Sequence, residues 1–87
     1  MTVGNWQVYI LRCRDDTFYT GITNNLEKRI QRHNLGTASR YTRTRLPVSL
    51  VYQEAAADRG AASRREAEIK KLKRRAKLKL IEQPPEQ

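Results

Sequence analysis

Val8 to Thr23 read VYILRCRDDTFYTGIT. Two tyrosines, Tyr9 and Tyr19, flank an acidic turn, and Gly21 follows the second. Trp6–Cys13 (WQVYILRC) is rich in β-branched and aromatic residues, the composition of a strand. RDDT is a turn, because aspartate side chains bond nearby backbone amides. Phe18–Ile22 (FYTGI) is a second short strand, so the stretch is a β-hairpin. In a hairpin, loop length decides which side chains share a face. A two- or four-residue loop would send Tyr9 and Tyr19 to opposite sides of the sheet. A site shared by both tyrosines therefore requires an odd-length loop or a β-bulge between Arg12 and Phe18.

Downstream, TNNLEKRIQRHNLG reads as a helix. Asn24 is the expected N-cap, Glu27 closes a capping box and Gly36 stops the helix. Leu26 and Ile30 mark its buried face. Thr37–Pro47 (TASRYTRTRLP) is a basic loop without periodicity, and Val48–Glu54 (VSLVYQE) is a third strand. From Ala61 to Ile81 the chain is helical in two pieces, with Ile69, Leu72, Ala76 and Leu80 three to four apart. The order is β-β-α-β-α-α, an α+β fold. Three strands make no stable isolated sheet, so helices must cover it. One domain over residues 1–83 is expected, followed by a disordered tail over 84–87.

The chain has 87 residues, with 18 Lys and Arg against 9 acids and a net charge of +9. Its mean hydropathy is −0.83. Such an excess on so small a body makes polyanions the expected partners, nucleic acid first. No apolar run approaches the roughly 20 residues that span a bilayer, and no amphipathic helix suits a membrane surface. Met1–Asn5 carry no positive charge and no apolar region follows, so no signal peptide is read. A single cysteine, Cys13, excludes an internal disulfide and a cysteine-rich metal site. These features fit a cytoplasmic protein.

Arg29 and His33 are four apart on the first helix, on or beside its buried stripe. Either they are boundary residues or they belong to a site. Glu66 has two readings as well. SRRE from Ser63 is a capping-box pattern; a helix starting at Asp58 instead leaves Glu66 interior, beside the apolar face and in need of a cation. Basic residues form two groups, Arg40, Arg43 and Arg45 with Tyr41 in the loop, and a larger set on the last helices that includes Arg65, Lys70, Lys73, Arg74 and Lys77. Too few acids neutralise them, so phosphate contacts without sequence selectivity are the expectation.

Taken together, VYI, YTG, LEKRIQRH and the later Glu66 resemble the GIY-YIG nuclease superfamily, most of all its small stand-alone bacterial members. The resemblance runs from Gln7 to about Ile81. It implies an α+β fold around a three-stranded antiparallel sheet. It also implies a metal-dependent endonuclease acting on nucleic acid, DNA in preference to RNA, in DNA repair or processing. By position, Tyr9 and Tyr19 match the signature tyrosines, Gly21 the signature glycine, Arg29 the catalytic arginine, His33 the active-site His/Tyr position and Glu66 the metal-binding carboxylate. The implied cofactor is Mg²⁺ or Mn²⁺. Mg²⁺ tolerates a single protein carboxylate because it keeps several waters and takes phosphate oxygens.

A free tyrosine has a pKa near 10, and Arg29 with a bound cation would lower it. Tyr19 is the favoured base, with Tyr9 or His33 relaying or positioning. The first motif reads Gln7-Val8-Tyr9 and lacks its glycine, Ile22 stands where excision-repair members carry lysine, and no supporting asparagine follows Glu66. These departures keep a second expectation open, a nucleic-acid-binding module with little activity. A monomer is expected, with room for a partner protein.

Overall fold

The computed structural model describes residues 5–83. Strands β1 (Trp6–Arg12) and β2 (Phe18–Thr23) lead into helix α1 (Leu26–Asn34) and the one-turn helix α2 (Arg40–Arg43). Strand β3 (Ser49–Ala56) and helices α3 (Arg59–Lys70) and α4 (Arg74–Glu82) complete the chain. The sheet is antiparallel in the order β2-β1-β3. This is the expected α+β arrangement, with one further element. The short helix α2 lies inside the stretch read as a loop, because four residues are too few to show a helical period. The tail expected over 84–87 lies outside the described residues.

β1 is central and buried on both faces, which is why its sequence is continuously apolar. Val8 and Ile10 point to one side, where they pack with Tyr52 of β3 and Ala62 and Ile69 of α3. Tyr9 and Leu11 point to the other, with Cys13, Val48 and the half-buried Tyr19, Leu26 and Ile30. Helices α1 and α3 thus cover opposite faces. Each fully buried aliphatic of β1 contributes about 1.5–3 kcal/mol. Between Ile10 and Leu11 the β1–β3 register shifts by one residue at Val51, which keeps Tyr52 on one face and Leu50 on the other.

Tyr9 pairs with Gly21 and Arg12 with Phe18, leaving the odd-length loop Cys13–Thr17 between the strands. Tyr9 and Tyr19 therefore share a face. Asp16 takes the left-handed conformation at φ 70°, which a short polar side chain tolerates. Asp15 accepts bonds from the Thr17 amide and hydroxyl, closing the turn.

Helix α1 is capped by Asn25, whose side chain accepts from the Lys28 amide, one residue after the expected cap Asn24. The Thr23 hydroxyl accepts from the Asn25 amide and sets this register. Gly36, at φ 79°, ends α1 as anticipated. Helix α3 is capped by Asp58, so the earlier of the two possible starts is the real one and Glu66 lies in the helix interior. Leu72 falls in the break between α3 and α4 and is exposed rather than core.

Candidate active site

Tyr9 lies at the floor of the site, with no solvent-accessible surface. Its hydroxyl meets His33 Nε2 at 2.9 Å, and His33 Nδ1 meets the Thr42 hydroxyl at 2.9 Å. Both partners are fully buried. The Thr42 hydroxyl also reaches the Ser39 carbonyl at 3.4 Å. His33 arrives here because it follows Leu26 and Ile30 around α1, whose apolar face must meet the sheet. Thr42 arrives because Ser39 caps α2 through the Tyr41 and Thr42 amides.

Tyr19 stands beside Tyr9, half-buried, with ring centroids 6.4 Å apart. His33 packs edge-on against it at 5.1 Å. On its outer side Tyr19 stacks with Tyr41 at 6.2 Å, and the Arg45 guanidinium covers the Tyr41 ring at 3.9 Å.

Gly21 makes this assembly possible. It stands directly across the ladder from Tyr9 on the same face, and the Tyr9 ring occupies the space that a side chain would need.

Arg29 is half-buried, and its Nε is buried without a hydrogen-bond partner among the described residues. Its charge draws the Tyr9 pKa down, but burial dominates and pushes Tyr9 up to about 12. Arg29 thus acts on Tyr9 in the expected direction, but desolvation of the anion outweighs this one cation. Burial, with Arg29 adding to it, pushes His33 down to about 4, so its imidazole is neutral at pH 7.

Glu66 approaches from the opposite layer. Helix α3 runs along the free edge of β2, with Arg59 beside Ile22 and Thr23 and Lys70 beside Phe18, Tyr19 and Thr20. Glu66 lies between these ends, and its charge also bears on Tyr9. Its carboxylate is partly exposed and pairs with Lys70 at 3.3 Å. Tyr9, Tyr19, Gly21, Arg29 and His33 thus meet around β1 and β2, and Glu66 on α3 is near enough for its charge to bear on Tyr9.

Among the described residues no three His, Cys, Asp or Glu side chains gather as a metal cage. The one carboxylate here is Glu66, a hard oxygen donor that is partly exposed and paired with Lys70. A lone carboxylate of this kind suits a cation such as Mg²⁺, which keeps its waters and takes phosphate oxygens.

Two grooves flank the centre along β2. One is lined by Phe18, Tyr19, Thr20, Tyr41, Lys70 and Lys77. The other is lined by Trp6, Ile22, Thr23, Asn24, Arg29 and Arg59. Sequence reasoning missed the second groove, although Arg59 lies two helical turns before Glu66 and shares its side of α3. It also missed Thr42, which no helical or strand period marks.

The expected phosphate-contacting residues divide. Lys70 and Lys77 line the first groove, while Arg40 and Arg43 lie on α2 and Lys73 takes the N-cap position of α4. Arg65 is committed elsewhere, with Nε on Glu54 at 2.8 Å and a second bond to Glu68. These two ion pairs tie α3 to β3 and engage Arg65 within the chain. Arg45 is held by Asp15 and the Tyr41 carbonyl. Arg74 is held by the Asp16 carbonyl and carboxylate and covers Phe18.

Comparison with known proteins agrees with this arrangement. The profile of the GIY-YIG catalytic domain matches residues 5–79. A UPF0213 protein of Staphylococcus haemolyticus is 53% identical over 76 residues, covering 87% of this chain and 93% of that protein. Another, from Clostridium perfringens, is 57% identical over 74 residues, covering 85% and 80% respectively. The solution NMR structure of the UPF0213 protein BH0048 from Bacillus halodurans is similar, with a TM-score of 0.59 and 40% identity over 91% of this chain and 84% of that one. The NMR structure of EF2693 from E. faecalis has a TM-score of 0.61 and 34% identity, covering 100% and 94%. With a matched profile over nearly its whole length and relatives of this identity, the chain belongs to the GIY-YIG catalytic-domain family.

Proposed function

We propose that this protein is a metal-dependent endonuclease that hydrolyses phosphodiester bonds in nucleic acid, DNA before RNA, with low sequence specificity. The observation that carries this reading is the gathering of two tyrosines and an arginine with an unpartnered buried Nε around β1 and β2, with a carboxylate near them, between two basic grooves. A strand would run along β2, held by Lys70 and Lys77 on one side and Arg59 on the other. Such contacts grip the backbone and leave the base edges unread.

The residues divide the work by their surroundings. Tyr19 can be reached from the groove and takes the proton of the attacking water as oxygen closes on phosphorus. A phenol accepts a proton only by giving up its own, and the open groove offers solvent for that transfer. Tyr9 is held neutral by burial and bonded to His33, so it positions rather than titrates. Arg29 donates to the phosphoryl oxygens as their negative charge grows. Glu66 would hold the divalent cation, which stabilises charge on the leaving 3′-oxygen when bound. The P–O bond to that oxygen breaks, and the oxygen takes a proton from solvent.

The direct test is incubation of the purified protein with branched, nicked and single-stranded DNA in Mg²⁺ or Mn²⁺. Cleavage that disappears in Arg29→Ala and Glu66→Ala supports the reading. Intact DNA in every case, or cleavage untouched by both substitutions, overturns it and leaves a nucleic-acid-binding module.

A further inference from the structure

We propose that Thr42 is a positioning residue that fixes His33 in its Nδ1–H tautomer and so directs the phenol proton of Tyr9 onto His33 Nε2. Its consequence for catalysis rests on the nuclease reading above, while the tautomer itself does not.

The argument begins at a backbone carbonyl. The Thr42 hydroxyl is within 3.4 Å of the Ser39 carbonyl oxygen and within 2.9 Å of His33 Nδ1. A carbonyl can only accept, and we assign the Thr42 proton to it. On that assignment the hydroxyl oxygen accepts from His33, which places the imidazole proton on Nδ1. Nε2 is left bare and can only accept, so the bond to Tyr9 at 2.9 Å is donated by the phenol. The whole chain of bonds thus runs one way, from Tyr9 through His33 and Thr42 to Ser39.

The carbonyl at the end of this chain is itself fixed. Ser39 caps α2, and its carbonyl also accepts the Arg43 amide at 3.0 Å. Thr42 is fully buried, and valine would fill the same volume. Packing alone therefore gives no reason for a hydroxyl there.

The direction matters because of Arg29. In the opposite tautomer, Nε2–H would donate to the Tyr9 oxygen and the phenol proton would turn toward the cation. In the direction set by Thr42, Tyr9 presents oxygen lone pairs on the side of Arg29, whose buried Nε has no hydrogen-bond partner among the described residues. Arg29 also lines the second groove. The neutral imidazole that burial enforces is what allows two tautomers to compete at all.

The experiment compares wild type with Thr42→Val, which keeps the volume, and Thr42→Ser, which keeps the hydroxyl. Long-range ¹H–¹⁵N correlation spectra of ¹⁵N-histidine-labelled protein at pH 7 report the tautomer of His33 directly, since it is the sole histidine. Wild type and Thr42→Ser are expected as Nδ1–H, and Thr42→Val as Nε2–H or a mixture. Turnover of cleaved DNA should fall about 10–100-fold in Thr42→Val with KM little changed, and return in Thr42→Ser. An Nε2–H tautomer in wild type, or an unchanged tautomer in a folded Thr42→Val, overturns the proposal. If Thr42→Val does not fold, the wild-type and Thr42→Ser spectra decide, and both must be Nδ1–H. If wild type cleaves nothing, the nuclease reading fails while the spectra still judge Thr42.

Discussion

Gly21 stands directly across the β1–β2 ladder from Tyr9, and a β-carbon at Gly21 would lie 2.6 Å from the Tyr9 hydroxyl oxygen and 2.7 Å from the carbon bearing it. The Tyr19 ring would be 3.1 Å away on the other side. The glycine is needed here for space. Both of its backbone neighbours lie in a regular strand, and the Tyr9 ring fills the place of its side chain. Gly21→Ala must therefore displace Tyr9 from His33. We expect a loss of about 1–3 kcal/mol in chemical denaturation, from overpacking. Cleavage should fall by about 100-fold, because a displacement of an ångström at the floor disturbs everything above it. Wild-type stability and activity in Gly21→Ala would contradict the packing described.

Substitutions at Arg29 and Glu66 are expected to separate catalysis from binding. Arg29→Ala should lower turnover by about 10²–10³-fold, the usual cost of one donor to a developing oxyanion. Arg29→Lys should recover little, since a lysine cannot present the planar donors of a guanidinium. Glu66→Gln should abolish cleavage while leaving DNA affinity, measured by fluorescence anisotropy, at or above the wild-type value. Chelation of divalent cations should reproduce that effect in wild type.

His33 gives the fold an acid-sensitive point. Burial holds its pKa near 4, against about 6.5 for an ordinary histidine. Between these values the unfolded chain binds a proton that the folded chain refuses, so stability falls as pH drops from about 6.5 toward 4. Above 6.5 the penalty is absent, and below 4 it is complete, on the order of 3 kcal/mol. Urea titrations of wild type and His33→Gln at pH 7 and pH 4.5 isolate it. The stability difference between the two proteins should shift in favour of His33→Gln at the lower pH. Parallel curves would show that His33 is not the group responsible.

Arginines of the same helix should behave oppositely. Arg59→Ala should weaken DNA binding and reduce the slope of log K against log salt by about 1, as for a phosphate contact. Arg65→Ala should leave that slope unchanged and lower stability by about 1–3 kcal/mol, because Glu54, largely shielded from solvent, loses its partner. Tyr52 donates to the same carboxylate and would be left to hold it alone. Equal salt slopes for wild type and Arg59→Ala would remove the second groove from the binding surface.

How much of this was legible beforehand depends on the range of the interactions. The hairpin, helix α1 and its glycine stop, and the two-piece C-terminal helix all rest on local composition and periodicity, which a sequence displays. Asn25 displaced Asn24 as the cap because the Thr23 hydroxyl captured the Asn25 amide, a choice between adjacent residues of the same type. Helix α2 escaped because one turn has no period. The basic residues could be counted, but not sorted. Arg65, Arg45 and Arg74 are paired within the chain by Glu54, Asp15 and Asp16, and Asp15 and Asp16 come from a distant turn.

By itself, the sequence determined the family resemblance, the element order, the positive charge and the candidate residues Tyr9, Tyr19, Arg29, His33 and Glu66, since each is a matter of residue type and spacing. It could state only the condition for the two tyrosines to meet. The tertiary structure met that condition with the odd-length loop Cys13–Thr17, which fixes strand register and hence the face each side chain takes. It also decided that Tyr9 is a buried neutral phenol and that Thr42 stands behind His33. Desolvation and hydrogen-bond direction depend on what surrounds a group in space, and those surroundings come from elements far apart in the chain.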